Sequence, residues 1–340
     1  MSTAKPRRRI LGIGYPRFAV REWEDLAKNY DVHHFVPASD RAAVVAEVKR
    51  LCDEKGPFDA GYVLFGTAAY SPFDEALLGP LLSPGTCGVW AQGGVGYDDV
   101  DVPLLTEHGC YLANTPHAVT AATADMGILL VLSTLRGVRQ AEQELREGRW
   151  RGSMPLSEDP AGKVIGFIGL GAIGKNMAAK TKPWEMKIIY HNRHRLPEEE
   201  EKKLDATYVS LDELYASSDI ISINTPLTPE TRHLLNDEAF AKMKDGVCIV
   251  NTARGAVIDE DALVRALDSG KVARAGLDVF EPEPKLESAL FASDRVTLQP
   301  HVGAFTRGTI HRGERDVFAN VKAFLETGKP VTPVNDPVRK

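Results

Sequence analysis

The run Val164-Ile-Gly-Phe-Ile-Gly169-Leu-Gly171-Ala172-Ile173-Gly174 restricts what this chain can fold into more than any other segment. Its apolar start reads as a buried strand, and the GxGxxG that follows turns the strand into a helix. Gly169 permits the tight turn, Gly171 lets the backbone approach a pyrophosphate, and Gly174 lets the helix lie close on the strand. The free N–H groups of the first helical turn, which holds Ala172 and Ile173, would face the phosphates. A second apolar strand at residues 187–190 completes a βαβ unit. In that context the motif reads as a dinucleotide site rather than a glycine turn of purely steric origin.

Strand and helix alternate on both sides of the motif. Before it, apolar strands at 10–14, 32–36, 60–65 and 87–91 are separated by helical spacing at 20–29, 40–51 and 73–82. Residues 120–147 carry an apolar face at Met126, Leu129, Leu130, Leu132 and Leu135 and predict one long helix. Residues 148–162, with Trp150, two prolines and several glycines, have linker composition. A second series of strands follows at 164–168, 187–190, 220–224, 247–251, 273–278 and 295–299, and a last helix at 307–325. The rhythm predicts an α/β fold with parallel sheets covered on both faces. The 340 residues exceed the roughly 250–300 at which single cores stop growing. Two Rossmann-like domains with doubly wound parallel sheets are therefore expected.

A net charge of −6 argues against sequence-independent nucleic-acid binding, so an anionic ligand must be held by local cations. The four cysteines, Cys52, Cys87, Cys110 and Cys248, match no zinc or redox spacing and read as reduced structural thiols, with no metal site expected. The apolar run at 10–13 after the basic start is too short for a signal sequence. No run approaches the roughly 18 apolar residues of a spanning helix. A cytoplasmic protein with no membrane partner is the expectation.

Roughly 20 residues beyond a glycine loop of this kind, a carboxylate ordinarily receives the ribose hydroxyls of the adenosine. Here Asn192 stands at that point, followed by Arg193, His194 and Arg195. Loss of the carboxylate removes repulsion of a 2′-phosphate, and Arg193 offers planar donors suited to it. NADP(H) is expected over NAD(H), which stays open as the second choice. The neighbouring acidic run 198–201 reads as a solvated helical face.

Three further segments follow predicted strands: Asn251-Thr252-Ala253-Arg254-Gly255, Gly276-Leu-Asp278-Val-Phe-Glu281-Pro-Glu283-Pro, and Gln299-Pro-His301-Val-Gly303. Ligands of open α/β sheets bind at such strand ends. Together with Gly94-Val95-Gly96-Tyr-Asp98, Thr115-Pro116 and the GxGxxG, in this order over nearly the whole chain, they make the sequence resemble the D-isomer-specific 2-hydroxyacid dehydrogenase family. The resemblance implies a flavodoxin-like substrate domain, residues 1–118 with 305–340, interrupted by a dinucleotide-binding domain, 119–304, with the active site in the cleft between them. It further implies that Arg254 holds the substrate carboxylate and carbonyl oxygen, and that His301 is the general acid with Glu283 beside it. Val95 and Gly96 would offer backbone N–H groups to the carboxylate, and Asp278 would lie near the nicotinamide. Thr123, Thr225, Pro226, Thr252, Ala253, His301 and Gly303 complete the cofactor contacts expected on this basis. A homodimer through the cofactor domain is also implied, with the long 120s helix and the Trp150 loop at the contact. Trp150 itself reads equally well as an interface anchor or as ordinary core.

The chemistry is coherent without the family name. Hydride addition to a 2-keto acid places negative charge on the carbonyl oxygen, so a proton donor is needed there, and histidine titrates near 6.5. A carboxylate partner favours the imidazolium, while arginine stabilises charge without giving up a proton. NADPH-dependent, reversible reduction of 2-keto acids to D-2-hydroxy acids is the expected activity. Glu283, where formate dehydrogenases carry glutamine, argues against formate oxidation. His301-Val-Gly303-Ala304 departs slightly from the family's His-x-Gly-Gly. Two other readings stay open: a dinucleotide-sensing, corepressor-like binding protein, and a phosphoglycerate dehydrogenase-like enzyme, for which no regulatory extension follows the last helix. The substrate side chain is undetermined, its pocket being expected from loops near Phe65, Tyr70 and Phe305.

Overall fold

The computed structural model describes residues 7–151, 154–281, 283 and 289–338. The basic start at 1–6, Pro284 and residues 152–153 of the expected linker lie outside the described residues. The chain divides into two compact units, Met1–Val119 with Thr306–Lys340, and Thr120–Phe305.

The first unit contains β1 (Arg9–Ile13), α1 (Val20–Asn29), β2 (Asp31–Phe35), α2 (Arg41–Lys55), β3 (Ala60–Val63), α3 (Glu75–Leu82), β4 (Val89–Gln92), α4 (Val102–Glu107) and β5 (Tyr111–Ala113). Its sheet has the order β2-β1-β3-β4-β5, and every neighbouring pair is parallel. This is the flavodoxin-like doubly wound order. A parallel sheet is covered on both faces, which is why β3 and β4 are buried at every residue. Val44 and Val48 of α2 with Leu77 and Leu81 of α3 fill one face, and Val317, Val321 and Phe324 of the C-terminal helix (Arg307–Thr327) fill the other.

The end of the chain returns to this unit through a specific polar lock. Glu314, only 2% exposed, accepts hydrogen bonds from the N–H groups of Arg17, Phe18 and Ala19 at 2.8, 2.9 and 3.0 Å. These N–H groups lead into α1, so one carboxylate ties the last helix to the first. Charge-assisted bonds of this kind contribute about 1.5–3 kcal/mol each.

The second unit opens with α5 (Pro116–Arg136), whose first turn belongs to the first unit, and α6 (Val138–Arg146). The single helix expected over 120–147 is thus broken, at Gly137, which adopts a left-handed φ of 59°. The cause is Arg274, buried in the sheet. Its Nε donates to Gln140 Oε1 at 2.9 Å and its Nη1 reaches the Thr134 carbonyl at 3.4 Å, while a Cβ at residue 137 would lie 3.2 Å from its guanidinium. Contrary to expectation, α5 is long and apolar enough to span a membrane by composition. Ala124, Leu130, Val131 and Leu135 place it against the core of the second unit.

That unit continues through β6 (Val164–Ile168), α7 (Ala172–Thr181), β7 (Lys187–His191), α8 (Glu198–Leu204), β8 (Ala206–Tyr208), α9 (Leu211–Ser217), β9 (Ile220–Ile223), α10 (Asp237–Lys242), β10 (Val247–Asn251), α11 (Glu260–Asp268), β11 (Val272–Leu277) and β12 (Val296–Leu298). The sheet order is β12-β11-β10-β9-β6-β7-β8, again with all neighbours parallel. The strand order reverses between β6 and β9, and the glycine loop leaves β6 at that switch point, where ligands of such sheets bind.

Candidate active site

Two of the three glycines of the loop after β6, Gly169 and Gly174, are required by their surroundings. Gly169 has a φ of 91°, and a Cβ there would stand 2.8 Å from Asn224 O and 3.0 Å from Thr225 N. Around Gly171 a Cβ would meet nothing within 4 Å among the described residues, so the N-terminus of α7 opens onto free space there. At Gly174 a Cβ would lie 2.6 Å from Gly169 O, which fixes the close approach of helix to strand. Ala172 is exposed and Ile173 half-buried in the first turn. At the neighbouring strand ends, the buried oxygens Asn224 Oδ1 and Thr252 Oγ1 have no hydrogen-bond partner among the described residues. Buried polar atoms are rarely left so. Open backbone donors on one side and unmet polar atoms on the other fit a dinucleotide lying across β6, β9 and β10. Thr225, Pro226 and Ala253 occupy the loops that follow those strands.

At the end of β7, Asn192 Oδ1 accepts from the Leu170 N–H at 2.6 Å, so the residue in the carboxylate's place braces the glycine loop. Arg193 and His194 are exposed and, among the described residues, form no side-chain hydrogen bond or ion pair. Arg195 differs from its expected role. Its Nε and Nη2 both donate to Glu201 at 2.8 Å, and its guanidinium lies 5.7 Å from the Tyr208 ring centre. Glu201, 7% exposed, also accepts from Tyr190 Oη at 2.5 Å. The Arg195 and Tyr190 hydrogen bonds hold its carboxyl down to about 2. The acidic run 198–201 is therefore not a uniformly solvated face, since its last residue is a buried brace.

The second cluster forms where β10 and β11 end and β12 leads on to His301. Asn251, fully buried at the end of β10, donates from Nδ2 to Arg254 O at 2.8 Å and accepts the Ala253 N–H at 2.9 Å. It shapes the turn that carries Arg254, a role the sequence reading missed although a polar residue closing a buried strand is a visible sign. Asp278, buried just after β11, accepts from the N–H groups of Val302 and Gly303, both at 2.8 Å. A Cβ at Gly303 would come within 2.6 Å of Asp278 Oδ2 and 3.5 Å of Thr123 Cγ2. Asp278, Thr123 and Gly303 thus form one packed clamp on the loop that presents His301. Within it His301 takes a left-handed φ of 54°, and its N–H donates to Asp278 O at 2.7 Å. That conformation is uncommon for a residue with a side chain and persists only where the surroundings over-determine it.

His301 Nδ1 lies 2.7 Å from Glu283 Oε2, and Glu283 Oε1 accepts the Phe280 N–H at 2.9 Å. The hydrogen bond to Glu283 and then its charge raise the imidazole above its ordinary range, against burial and the positive charge of Arg254. Burial pushes the Glu283 carboxyl up, but the His301 hydrogen bond and charge, the Phe280 N–H and Arg254 together bring it below its ordinary range. Burial raises Asp278, only partly offset by its two N–H donors and His301. The arrangement is a carboxylate-oriented imidazole with a guanidinium in electrostatic reach of both partners. Among the described residues no group of three or more His, Cys, Asp or Glu side chains could hold a metal ion.

In the first unit, the loop after β4 is closed on itself. Its Gly94, Val95 and Gly96 carbonyls accept from Thr115, Asn114 Nδ2 and Gln92 Nε2. Among the described residues the Val95 and Gly96 N–H groups donate to nothing in the chain. Phe65 is wedged where Cβ atoms at Gly93 and Gly313 would stand, and Phe305 is exposed. Tyr70, in contrast, is buried in the core of the first unit and packed against Phe73. Trp150 is 81% exposed, which removes the ordinary-core reading within one chain.

Residues 128–303 match the family model described as D-isomer specific 2-hydroxyacid dehydrogenase, NAD binding domain. The chain is 45% identical over 326 residues to 4-methyl-2-oxopentanoate reductase A of Aspergillus oryzae, covering 95% of this chain and 96% of that protein. The crystal structure of a glyoxylate reductase from Paecilomyes thermophila superposes with a TM-score of 0.90 at 41% identity, covering 97% of this chain and 99% of that one. Holo D-mandelate dehydrogenase of Rhodotorula graminis gives a TM-score of 0.89 at 34% identity over 98% and 99% of the two chains. Glycine loop, strand-end cluster, sheet order and these likenesses agree: the chain belongs to the D-isomer-specific 2-hydroxyacid dehydrogenase family, NAD(P)-dependent oxidoreductases that act on CH–OH groups.

Proposed function

We propose that this protein reduces 2-keto acids to D-2-hydroxy acids with NADPH, and that His301 delivers the proton. The 2.7 Å contact between His301 Nδ1 and Glu283 carries the reading, because it leaves Nε2 as the imidazolium's other donor. Bound NADPH supplies the hydride. The protein's share is to hold the substrate and manage charge and proton. Arg254 pairs with the substrate carboxylate and stabilises the negative charge that grows on the carbonyl oxygen. His301 then protonates that oxygen, and in the reverse direction the neutral imidazole accepts the proton. Gly169, Gly171, Ala172, Ile173 and Gly174 hold the pyrophosphate, with Thr225, Pro226, Thr252, Ala253 and Gly303 along the remainder of the cofactor.

The test is oxidation of NADPH and NADH with glyoxylate, hydroxypyruvate, pyruvate, 2-ketoisocaproate and phenylglyoxylate, followed by chiral analysis of the product. Turnover of at least one acid to the D-product supports the proposal. Dinucleotide binding without turnover of any acid would favour the sensor reading instead.

The preference for NADPH rests on Arg193, since Arg195 is committed to Glu201 and Asn192 to the glycine loop. Arg193→Ala should raise the KM for NADPH by about tenfold or more, the value of one charge-assisted contact, and leave that for NADH within about twofold. Equal effects on both cofactors would remove Arg193 from the 2′-phosphate site.

A homodimer is proposed through the second unit. Leu129, Val138, Leu145, Trp150 and Leu156 are all exposed large apolar side chains within a short stretch of sequence. Joined in one patch, exposed apolar side chains of this size mark interaction sites. Light scattering should give twice the chain mass for the wild type, and Trp150→Glu with Leu145→Glu should shift it toward monomer. A monomeric wild type would refute the proposal.

A further inference from the structure

We infer that Glu281, gripped by Arg232 and His233, is a positioning residue that holds the loop from which Glu283 reaches His301. The inference rests on the roles proposed above for His301 and Glu283, and adds what keeps them in register.

After β11 the chain runs through Asp278 and Phe280 to Glu281. It passes so close to the Arg254 turn that a Cβ at Gly255 would lie 2.0 Å from the Phe280 carbonyl carbon. The Glu281 N–H donates to Glu260 Oε1, in the first turn of α11, at 2.7 Å. Its carboxylate is shared: Arg232 Nη2 donates to Oε1, and His233 Nε2 lies 3.0 Å from Oε2. Those two side chains come from a segment that is itself fixed. His233 N donates to Ala256 O at 2.8 Å, Leu235 N to Val257 O at 3.1 Å, and Arg232 N to Thr228 O at 3.0 Å. His233 is also in the left-handed region, with a φ of 50°. As at His301, such backbone persists only where its surroundings over-determine it. A neighbouring surface segment is thus laced beside the Arg254 turn and grips the Glu283 loop by one carboxylate. Two residues on, Glu283 spends one oxygen on Phe280 N–H and the other on His301.

Loosening this grip should let Glu283 drift from His301 while the glycine loop and its ligand are untouched. The titratable and charged groups facing His301 are Glu283, Arg254 and Asp278, and those facing Glu281 are Arg232, His233 and Glu260. With Glu283 displaced, the imidazolium loses its main support, and the pH at which keto-acid reduction falls off moves downward.

The experiment compares wild type, Glu281→Gln, Arg232→Met and Glu283→Gln by the pH profile of kcat/KM for keto-acid reduction, by NADPH binding, and by thermal unfolding. Glu281→Gln keeps the side chain's size, and Arg232→Met relaxes the same grip from outside the loop. Both should lower kcat by between about tenfold and 10²-fold, the range for a small misplacement of a reacting group. Both should also move the limb to lower pH in the direction of Glu283→Gln but less far, with NADPH affinity within about twofold. If Glu283→Gln moves the limb and these two variants do not, whatever their activity, the positioning role is overturned while the His301 reading stands. If Glu283→Gln itself leaves the limb in place, the His301–Glu283 reading fails and takes the inference with it.

Discussion

His301→Ala should lower kcat for keto-acid reduction by about 10²–10⁴-fold, the usual contribution of a positioned general acid. In the proposed mechanism the imidazolium is the donor that meets the carbonyl oxygen, because Glu283 both orients the ring and raises its affinity for the proton. Asp278, Arg254 and Glu283 cannot replace it: the carboxyls are engaged as hydrogen-bond acceptors and arginine does not release its proton. The NADPH dissociation constant should change by less than about threefold, since the glycine loop and the Asn192 brace belong to separate segments. Steady-state kinetics with equilibrium cofactor binding separates the two quantities. Turnover within tenfold of wild type would take His301 out of the proton transfer.

Arg254→Met should be nearly as damaging, and it should leave a different signature. Removing a preorganised donor to a developing oxyanion lowers kcat by about 10²–10³-fold, and loss of the carboxylate partner raises KM as well. Arg254→Lys should recover little, because an ammonium cannot reproduce the planar two-pronged contact. The pH profile distinguishes this variant from the Glu283 variants. Arg254 opposes the positive charge on His301, so its removal favours the imidazolium, and the fall in reduction should move to higher pH. Loss of Glu283 should move it to lower pH. Shifts in the same direction for both would contradict the electrostatic account of the site.

Features written in local pattern were legible before the structure. The helix expected at 20–29 is α1 (Val20–Asn29), and the strand-turn-helix of the glycine loop stands where its spacing put it. Both depend on neighbours close in sequence. What escaped depends on partners far along the chain or on elements too short to show a period. The break at Gly137 exists to accommodate Arg274, which no local pattern reveals. The strands β5 and β8 have three residues each and carry too little alternation to register alone, whereas β12, equally short, lies inside the longer run expected at 295–299. Glu201 sits in a run of like charges and reads as solvent-facing until Tyr190 and Arg195 are seen to converge on it. The His301, Glu283 and Arg254 segments were each visible as strand-end motifs. Their supports were not: Asn251 under Arg254, the Asp278–Gly303 clamp under His301, and the Arg232–His233–Glu281 grip beside Glu283. Motif positions announce which groups meet a ligand, whereas the residues that aim them are chosen by three-dimensional packing.

The pH dependence of kcat/KM for the wild-type enzyme, measured in both directions with the best keto acid and its D-hydroxy acid, tests the central claim most directly. Glu283 raises the folded-state affinity of His301 for its proton, so the acid form persists above the ordinary value of about 6.5. Reduction, which needs that form, should be high at low pH and fall as pH rises through a point above 6.5. Oxidation, which needs the neutral ring, should rise through the same region. Profiles that are flat across it, or that move in the same direction for both reactions, would contradict the assignment of His301 as the group that gives and takes the proton.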